Sequence, residues 1–466
     1  MTKIAIIGGG PAGYEPAYVA EELGAEVTLI ERDAPGGACV HYDCVPSKAF
    51  IASSEVVTAT RNSEKLGIHL ENADLDVDAP LINRRVKDLA EAQIADVSRG
   101  LDKAGVTVVK GTGRLAGDGT RGRHRVEIEP DGGTAYTDEF DIVLLATGAR
   151  PREITGSEPD GERILTWRQV YDLDELPTRL IVIGSGVTGA EFASAYLEIG
   201  VDVVLISSRD RVLPHEDGDA ARLLESSFEA RGMTILQHGR AQSVTNTGDG
   251  VRVELADGRV VEGSHCLMTV GSVPNTEDLG LEQAGVETDD GGFVTVDRVS
   301  RTNVPGIYAA GDCTGVLMLA SVAGMQGRIA MWHALGEAVA PLQLKTVSSN
   351  IFTHPEIATV GIGEATVDAT DMDVRSVTLP LRTNARAKMA ELDDGFVKIY
   401  ARPTTGVVIG GVIVAPHASE LILPIAMAVQ QRLTVNQVAH TFAVYPSITG
   451  SITEAARRLI THDDLD

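Results

Sequence analysis

The sequence has few cysteines, few basic residues and no long hydrophobic run. Four cysteines in 466 residues cannot build the disulfide framework of a small secreted protein. Only 40 lysines and arginines stand against 66 acidic residues, and this net charge of −26 argues against nucleic acid or an anionic membrane as a partner. Ordinary solubility explains the charge, with adaptation to salt as the alternative. The apolar runs are as short as strands, and residues 1–10 lack the features of a secretory signal, so we expect a cytoplasmic protein without a membrane span.

What the sequence does contain begins with a strand, a glycine turn and a helix. Gly8, Gly10 and Gly13 form a G-x-G-x-x-G motif between the apolar segment KIAII and a helical segment. In such motifs the first glycine allows a tight turn, the second admits a pyrophosphate, and the third lets helix and strand pack closely. Glu31 ends the next predicted strand, where its carboxylate can accept a hydrogen bond from a ribose hydroxyl. These residues predict a dinucleotide-binding site.

A second copy of this pattern follows, and its three glycines are Gly184, Gly186 and Gly189. Glu31 lies 23 residues after Gly8, whereas the same distance after Gly184 leads to Ser207, with Arg209 close behind. An acid at this point favours an unphosphorylated ribose, and an arginine accommodates a 2′-phosphate. The second site is therefore predicted to favour NADPH, or to accept both NADPH and NADH. The alternative is that the arginines of this loop only face solvent.

Cys39 and Cys44 are separated by four residues and follow the first dinucleotide motif. A metal site would need further ligands, and although His41 lies between the two cysteines, Cys266 and Cys313 are far away in the sequence. A purely structural disulfide is rare in a reducing cytoplasm. A redox-active pair is favoured, because Cys44 begins a predicted helix and a helix N-terminus stabilises a thiolate.

With further motifs, the chain resembles the class I pyridine nucleotide–disulfide oxidoreductases, which include lipoamide dehydrogenase, glutathione reductase and mercuric reductase. Beside the segments above, the motifs are C-x4-C-x2-SK, ATGARP (Ala146 to Pro151), GSVPN (Gly271 to Asn275), GIYAAGD (Gly306 to Asp312) and FTHPEIATVG (Phe352 to Gly361). The resemblance covers the whole chain and implies an α/β fold: two Rossmann-like dinucleotide-binding domains plus a C-terminal α+β dimerisation domain. The implied domains are an FAD-binding domain at residues 1–150 and 274–343, an NAD(P)-binding domain at 151–273, and an interface domain at 344–466 on which the family forms homodimers.

The resemblance also implies roles for single residues. Electrons would pass from NAD(P)H through FAD to the cysteines, with Cys44 against the flavin and Cys39 as the outer, exchanging sulfur. Lys48, one helical turn after Cys44, would approach the flavin N5 and pair with Glu191. Asp312 would hold the ribityl chain of the flavin. The other residues expected to contact a cofactor are Gly113, Thr147, Gly148, Gly271 and Ala320.

The C-terminal region departs from the disulfide-reducing members of this family. Those members carry His-Pro and, four residues after the Pro, a Glu; the His protonates the departing thiol and the Glu orients it. Here Tyr445 precedes Pro446, and Gly450 stands in place of the Glu. A phenol, with an ordinary pKa of about 10, is a poor proton shuttle at neutral pH. His440 and His462 are not placed to replace it.

We therefore predict an FAD-dependent NAD(P)H:quinone reductase, or diaphorase, since a quinone accepts electrons without thiol chemistry. Tyr445 is counted among its catalytic residues, because it occupies the position of the family's acid–base histidine. The chain most resembles the actinobacterial NAD(P)H quinone reductases that lack the same His–Glu pair. A dihydrolipoamide dehydrogenase or another NAD(P)H-dependent disulfide reductase is the alternative within the class. A redox-sensing or scaffold flavoprotein is the alternative from another class.

One residue has no explanation in the sequence: Pro16 lies inside the first predicted helix, where a proline costs about 3 kcal/mol, and its effect on FAD retention is open.

Overall fold

The computed structural model describes residues 1–69 and 75–461. In chain order, the strands of these ranges are β1 (Lys3–Ile7), β2 (Glu26–Glu31), β3 (Thr107–Asp118), β4 (His124–Pro130), β5 (Tyr136–Phe140), β6 (Ile142–Leu145), β7 (Ala149–Pro151), β8 (Ile164–Thr166), β9 (Arg179–Ile183), β10 (Asp202–Ile206), β11 (Thr234–Leu236), β12 (Ala241–Asn246), β13 (Val251–Leu255), β14 (Val260–Gly263), β15 (His265–Met268), β16 (Ser272–Pro274), β17 (Ile307–Ala309), β18 (Ser348–Ile351), β19 (Glu356–Gly361), β20 (Arg375–Pro380), β21 (Phe396–Ala401) and β22 (Val408–Ala415).

The α-helices are α1 (Pro11–Glu22), α2 (Gly37–His41), α3 (Cys44–Asn62), α4 (Ala79–Ala104), α5 (Val187–Glu198), α6 (Gly218–Ala230), α7 (Ala320–Ala334), α8 (Glu364–Thr370), α9 (Ala385–Met389), α10 (Ala418–Leu421), α11 (Leu423–Gln431), α12 (Val435–Ala439) and α13 (Gly450–Leu459). None of the helices in the described ranges combines the length and the apolar character needed to cross a membrane.

Residues Met1–Ala49, Asn83–Arg152 and Gly271–Gln343 form one compact unit. Its main sheet has seven strands in the order β17-β6-β1-β2-β3-β4-β5. The strands from β17 to β3 pair in parallel, and β4 and β5 add an antiparallel extension. Strands of a parallel sheet covered on both faces are apolar along their whole length, and β6, with the sequence IVLL, is accordingly buried throughout. This sheet carries the first glycine turn at the end of β1.

Residues Phe50–Ile82, Glu153–Val270 and Leu344–Asp466 form the second unit. It contains a parallel sheet in the order β11-β10-β9-β15-β8, which carries the second glycine turn at the end of β9. A small antiparallel sheet, β12-β13-β14, follows in the same segment. The C-terminal part is an antiparallel sheet, β18-β19-β22-β21-β20, with helices α8–α13. The predicted fold class is confirmed, and the predicted domain boundaries stay a prediction.

The two glycine turns belong to an internal repeat with a constant spacing. β1 begins at Lys3 and β9 at Arg179, while α1 begins at Pro11 and α5 at Val187, so both starts differ by 176 residues. Because the spacing is the same throughout this β-α-β segment, each residue of the first turn has one counterpart in the second. Differences between counterparts can therefore be interpreted as differences between the two nucleotide sites.

The structure explains Pro16, which lies inside α1 and is buried. A proline has no N–H, so the carbonyl of Ala12 cannot accept the usual helical hydrogen bond. This carbonyl lies against Gly327 of α7, where a Cβ would be 2.8 Å from Ala12 O and 2.7 Å from Pro16 Cγ. A glycine at position 327 lets α7 pack directly on the proline. We infer that this packing, rather than a distortion of the glycine turn, accommodates Pro16.

Candidate functional site

Glycines shape the turn between β1 and α1. Gly8 has φ of +109°, and a Cβ on it would lie 2.2 Å from the carbonyl oxygen of Ala146. Gly13 is equally restricted, since a Cβ there would lie 1.9 Å from the Gly8 carbonyl oxygen. α1 begins after Gly10 without a side-chain cap, which leaves its N-terminal end available to an anion. The turn therefore has the backbone that a bound pyrophosphate requires.

Glu31 joins the end of β2 to this turn. It is buried, its Oε2 accepts the N–H of Gly9, and its Oε1 accepts the N–H of Asp33 at 2.8 Å. A carboxylate has about four lone-pair sites, so these two bonds leave capacity for ribose hydroxyls. Position 9 has little room for a side chain, because a Cβ there would lie 3.0 Å from Glu31 Cγ. The contact of this carboxylate with a ribose stays a prediction.

Two polar side chains of the first unit have hydrogen-bonding capacity that suits FAD. The hydroxyl of Thr147 is buried beside the Cys313 thiol, without an oxygen or nitrogen partner in the described part of the chain. Asp312 is half-buried, and burial together with the neighbouring Asp43 raises the pKa of its carboxyl to about 6. Buried polar groups in proteins are nearly always paired. A ligand with many hydroxyl and carbonyl groups would satisfy both residues, so the site fits FAD.

The other predicted cofactor residues differ in what surrounds them. Gly148 and Gly271 have φ of +67° and +98°, and a Cβ on either would meet open space. Ala320 is the first residue of α7, a helix without a side-chain cap. A Cβ on Gly113 of β3 would lie 3.1 Å from Ile30 Cδ1, which shows a close approach within the core. The contacts of all four with a cofactor stay predictions.

Both cysteines of the predicted redox pair are free thiols in this structure. Cys39 lies in α2, and Cys44 is the first residue of α3. A hydrogen bond with Cys39, burial and the adjacent Asp43 raise the pKa of the Cys44 thiol, and Lys48, one turn along α3, acts in the opposite direction. These surroundings favour the protonated thiol over the thiolate. Since only a thiolate attacks a disulfide, the reduced pair needs a proton acceptor to act on a disulfide substrate.

Sequence reasoning missed two groups beside the cysteines, Tyr14 and Asp43. Burial, and after it Glu15 and Cys39, raise the pKa of Tyr14 to about 12, so its phenol stays protonated at neutral pH. Asp43 raises the pKa values of both Cys44 and Asp312. The position of Asp43, directly before the second cysteine, was visible in the sequence. The position of Tyr14 was not, because it depends on how α1 packs against the cysteine segment.

His41 lies between the cysteines, but it is not part of a metal-binding cluster in the described residues. Its Nε2 is buried without a hydrogen-bond partner in the described chain. Across residues 1–69 and 75–461, no group of three or more His, Cys, Asp or Glu side chains could hold a metal ion. The described geometry thus offers no set of ligands around the Cys39–Cys44 segment.

Glu191 lies on a face of α5 that binds the FTHPEIATVG motif. Its Oε1 accepts the N–H of Phe352 at 2.9 Å. One turn further, Ser194 Oγ accepts the N–H of His354 at 3.0 Å and donates to Glu198 Oε1 at 3.0 Å. All three α5 side chains are buried. The motif therefore fixes the orientation of Glu191, whereas the implied pairing of Glu191 with Lys48 stays a prediction.

The second glycine turn repeats the geometry of the first. Gly184 has φ of +108°, and a Cβ on it would lie 2.3 Å from the carbonyl oxygen of Thr269. A Cβ on Gly189 would lie 1.9 Å from the Gly184 carbonyl oxygen. α5 begins after Gly186, again without a side-chain cap. This turn is therefore as suitable for a pyrophosphate as the first one.

The position that corresponds to Glu31 is different. Ser207 is fully buried, and its hydroxyl accepts hydrogen bonds from Ser185 Oγ at 2.8 Å and from the Arg209 N–H at 3.1 Å. It also donates to the carbonyl of Arg211 at 3.0 Å. A hydroxyl has one donor and two acceptor sites, so none is left for a nucleotide. The expected direct contact of Ser207 with the nucleotide is thereby corrected: any role of this residue is indirect.

Tyr445 and Gly450 do not form an acid–base pair in the described chain, and a catalytic role of Tyr445 stays a prediction. Tyr445 is 86% exposed, and its hydroxyl has no partner among residues 1–69 and 75–461. Gly450 begins α13, and the nearest atom to a Cβ there would be Ser447 Oγ at 3.7 Å. His440 lies 2.8 Å from a backbone carbonyl at the exposed end of α12. His462 lies outside the described residues.

Two family models match the chain. The model for pyridine nucleotide-disulphide oxidoreductase matches residues 2–327. The model for the pyridine nucleotide-disulphide oxidoreductase dimerisation domain matches residues 347–456. Together they account for both glycine turns, the cysteine pair and the C-terminal sheet.

Relatives and solved structures agree with these matches. The chain is 59% identical over 471 residues to a protein of Mycobacterium tuberculosis named NAD(P)H dehydrogenase (quinone), with 100% of this chain and 95% of the relative covered. It is 34% identical over 469 residues to a dihydrolipoyl dehydrogenase of Halobacterium salinarum, with 99% and 97% covered. The crystal structure of LpdA from Mycobacterium tuberculosis matches with a TM-score of 0.94 and 57% identity, covering 99% of this chain and 100% of that one. The flavoprotein disulfide reductase RclA from Escherichia coli shares the fold, with a TM-score of 0.86 at 22% identity over 98% and 99% of the chains.

Proposed function

The chain belongs to the pyridine nucleotide-disulphide oxidoreductases, a family of FAD-dependent NAD(P)H oxidoreductases, and within it we propose that the chain reduces quinones. The observation that carries this proposal is the pair Tyr445 and Gly450. One is an exposed phenol and the other has no side chain, at the two positions where disulfide-reducing members hold their acid–base pair. A quinone needs no thiol proton, so its reduction is unaffected by this loss.

In this proposal, different residues of the chain bind FAD and NAD(P)H. The first glycine turn and Glu31 bind the diphosphate and ribose of FAD, and Thr147 and Asp312 offer groups to the rest of the cofactor. The second glycine turn binds NAD(P)H. Glu191, held by the Phe352 N–H, is the buried carboxylate nearest in sequence to that turn and orients the nicotinamide end. Bound FAD supplies the acceptor for the hydride of NAD(P)H and passes electrons to the quinone.

A homodimer is part of the proposal. The family's dimerisation domain covers residues 347–456. Near its end, Phe442, Val444 and Tyr445 are 102%, 80% and 86% exposed. Such a cluster of exposed apolar side chains is typical of a surface that another chain covers.

The test is a comparison of acceptors at steady state. The FAD-bound protein is assayed with a naphthoquinone, lipoamide and glutathione disulfide, each with NADPH and with NADH. We expect quinone reduction to exceed both disulfide activities by a large factor. Lipoamide turnover as fast as quinone turnover would contradict the proposal, because it would require an acid–base group other than Tyr445.

The second candidate function, dihydrolipoamide dehydrogenase, is favoured by one observation. Cys39 and Cys44 are both retained, free and hydrogen-bonded to each other. A relative with 34% identity is named dihydrolipoyl dehydrogenase. The same acceptor comparison separates the two functions.

Substitution of Cys44 by serine tests whether the cysteines take part. We expect Cys44→Ser to abolish any long-wavelength absorbance from a thiolate beside the flavin, to remove residual lipoamide reduction, and to leave most of the quinone reduction. The reason is that a quinone can take electrons without a sulfur. Cys39→Ser is the matched control, since it leaves the inner sulfur in place. If Cys44→Ser keeps its FAD and loses quinone reduction, the electrons must pass through the cysteines.

A further inference from the structure

The loop between β10 and α6, residues 207–216, lies where part of a nucleotide is expected. In doubly wound sheets a dinucleotide binds at the carboxyl ends of the parallel strands, and its adenosine ribose comes to the end of the second strand of the β-α-β unit. In the second glycine-turn repeat, that strand is β10, which ends at Ile206. A residue that sets the course of this loop therefore affects the adenosine half of the nucleotide.

The loop is fixed in its middle and at its end. In its middle, the N–H of Leu213 donates to the carbonyl of Ser185, which lies in the second glycine turn, at 2.9 Å. At its end, Asp217 caps α6, and its Oδ1 accepts the N–H groups of Asp219 and Ala220 at 3.0 and 3.2 Å. A displacement of the loop is therefore transmitted to the glycine turn itself.

A lysine of the C-terminal sheet holds the end of the loop. The amino group of Lys398, in β21, lies 2.9 Å from Asp217 Oδ1, 2.8 Å from Asp217 Oδ2 and 2.6 Å from Asp219 Oδ2. An ammonium group has three donors, and these acceptors engage them. From the same strand, the Tyr400 hydroxyl donates to Asp217 Oδ2 at 3.1 Å. Two side chains of β21 thus bind the carboxylate that ends the loop.

The ion pair between Lys398 and Asp217 is buried, with side chains 6% and 2% exposed. Burial lowers the pKa of the Lys398 amine, but its bonds to Asp217 and Asp219 outweigh this effect, so the pKa lies above its ordinary value and the group remains a cation. Apolar residues of similar volume can often replace a buried ion pair without loss of stability. A role in positioning therefore explains this pair better than a gain in stability.

A helix of the C-terminal part reaches the same place. Glu364, the first residue of α8, accepts the N–H of Gly218 at 2.7 Å. A Cβ on Gly218 would lie 2.9 Å from Glu364 Oε2 and 3.3 Å from a guanidinium nitrogen of Arg211, which belongs to the loop. The loop, the first turn of α6, β21 and α8 therefore meet at one point.

We propose that Lys398 is a positioning residue for NAD(P)H: by holding Asp217 it sets the loop after β10, and through that loop the adenosine half of the bound nucleotide. Lys398 follows Asp217 by 181 residues in the sequence. It lies within residues 347–456, which match the dimerisation domain, so this region takes part in nucleotide binding as well. The inference rests on the proposed binding of NAD(P)H at the second glycine turn.

The first test measures nucleotide binding to the full-length, FAD-bound protein. NADP⁺ is titrated by calorimetry at a temperature well below that of unfolding. Lys398→Met removes the cation and keeps an unbranched side chain. It should weaken NADP⁺ binding at least about tenfold, the effect of losing one hydrogen bond between charged groups. The FAD content should equal that of wild type.

Anaerobic reduction of the flavin by NADPH separates positioning from chemistry. In Lys398→Met the dissociation constant of NADPH should rise by the same factor as that of NADP⁺. The limiting rate of flavin reduction should stay nearly unchanged, because the loop acts on the adenosine end and the hydride leaves from the nicotinamide end. No quinone is present, so failure of the proposed quinone activity would leave this result unaffected.

A double-variant cycle tests whether Lys398 acts through Asp217. Asn caps a helix as well as Asp does, so Asp217→Asn keeps the cap of α6 and removes only the charge. Asp217→Asn should also weaken NADP⁺. The double variant Asp217→Asn with Lys398→Met should be no weaker than Lys398→Met alone, because both changes break the same contact.

A variant elsewhere in the C-terminal sheet controls for stability. Glu356 of β19 is buried, and its Oε2 accepts the N–H of Ser419 at 2.9 Å and the amide of Asn350 at 3.1 Å. Glu356→Ala removes these bonds, and its bonded partners lie outside the loop. It should lower the unfolding temperature and leave the affinity for NADP⁺ unchanged.

Three results would overturn the inference. The first is wild-type affinity for NADP⁺ in Lys398→Met. The second is a Glu356→Ala variant that weakens NADP⁺ as much as Lys398→Met does, since general destabilisation would then be the cause. The third is a double variant whose loss equals the sum of the two single losses. If Lys398→Met does not fold, Asp217→Asn decides: unchanged NADP⁺ affinity in that variant overturns the inference.

Discussion

The double substitution Tyr445→His with Gly450→Glu is expected to raise the reduction of lipoamide by the FAD-bound enzyme at least tenfold. General acid–base catalysis contributes about 10²–10⁴-fold, so a tenth of its lower limit is already visible over a weak background. Within a single subunit, neither position is crowded. Tyr445 is 86% exposed, and the nearest atom to a Cβ on Gly450 would be 3.7 Å away. A glutamate in the first turn of α13 also suits the positive end of the helix dipole.

The single variants are the controls for this prediction. A histidine without its carboxylate partner seldom presents the right ring nitrogen, so the effect of the double variant should exceed the product of the two single effects. Quinone reduction should change little, because it uses no thiol proton. Tyr445→Phe should likewise leave it unchanged. Two findings would contradict the interpretation: strong lipoamide reduction by the wild type, or loss of quinone reduction in the double variant while FAD remains bound.

Alanine at the first glycine of either turn is expected to abolish one nucleotide site and spare the other. Gly8→Ala places a Cβ 2.2 Å from a backbone carbonyl at φ of +109°, and Gly184→Ala does the same at 2.3 Å and +108°. Such strain costs about 1–3 kcal/mol before the overlap is counted. Gly8→Ala should therefore bind FAD at least about tenfold more weakly than wild type and lose FAD on gel filtration, since 1.4 kcal/mol is a factor of ten.

The two variants control for each other, because their local geometry is nearly the same. Gly184→Ala should keep its FAD and its yellow colour, while its KM for NADPH rises at least about tenfold, by the same arithmetic. FAD content is read from absorbance after gel filtration, and KM from quinone reduction. Full FAD in Gly8→Ala, or loss of FAD from Gly184→Ala, would show that the assignment of the two turns to the two cofactors is wrong.

Motifs that are short in sequence were predicted well. The strand, turn and helix around Gly8 and those around Gly184 are each complete within about thirty residues, as is typical of a β-α-β unit. Their glycines are required by local backbone geometry, and Glu31 ends β2 as expected. The absence of an acid–base pair at Tyr445 and Gly450 could likewise be found by comparison with a family pattern. No knowledge of packing was needed for any of these.

The residues that were missed or misjudged depend on packing. Ser207 was expected at the nucleotide because of its spacing from Gly184, and the structure buries it beneath Ser185. Tyr14 had no signal in the sequence, since its distance to the cysteines depends on the contact of α1 with the cysteine segment.

The sequence by itself determined the family, the two dinucleotide turns, the cysteine pair and the missing acid–base groups. Each of these depends on residue identity at a fixed local spacing, which a chain carries before it folds. Only the tertiary structure decided that Pro16 is accommodated by Gly327, that Asp43 and Tyr14 surround the cysteines, and that the Ser207 hydroxyl is already fully bonded. The physical reason is that burial and hydrogen-bond saturation are set by neighbours from other segments, which one-dimensional spacing does not specify.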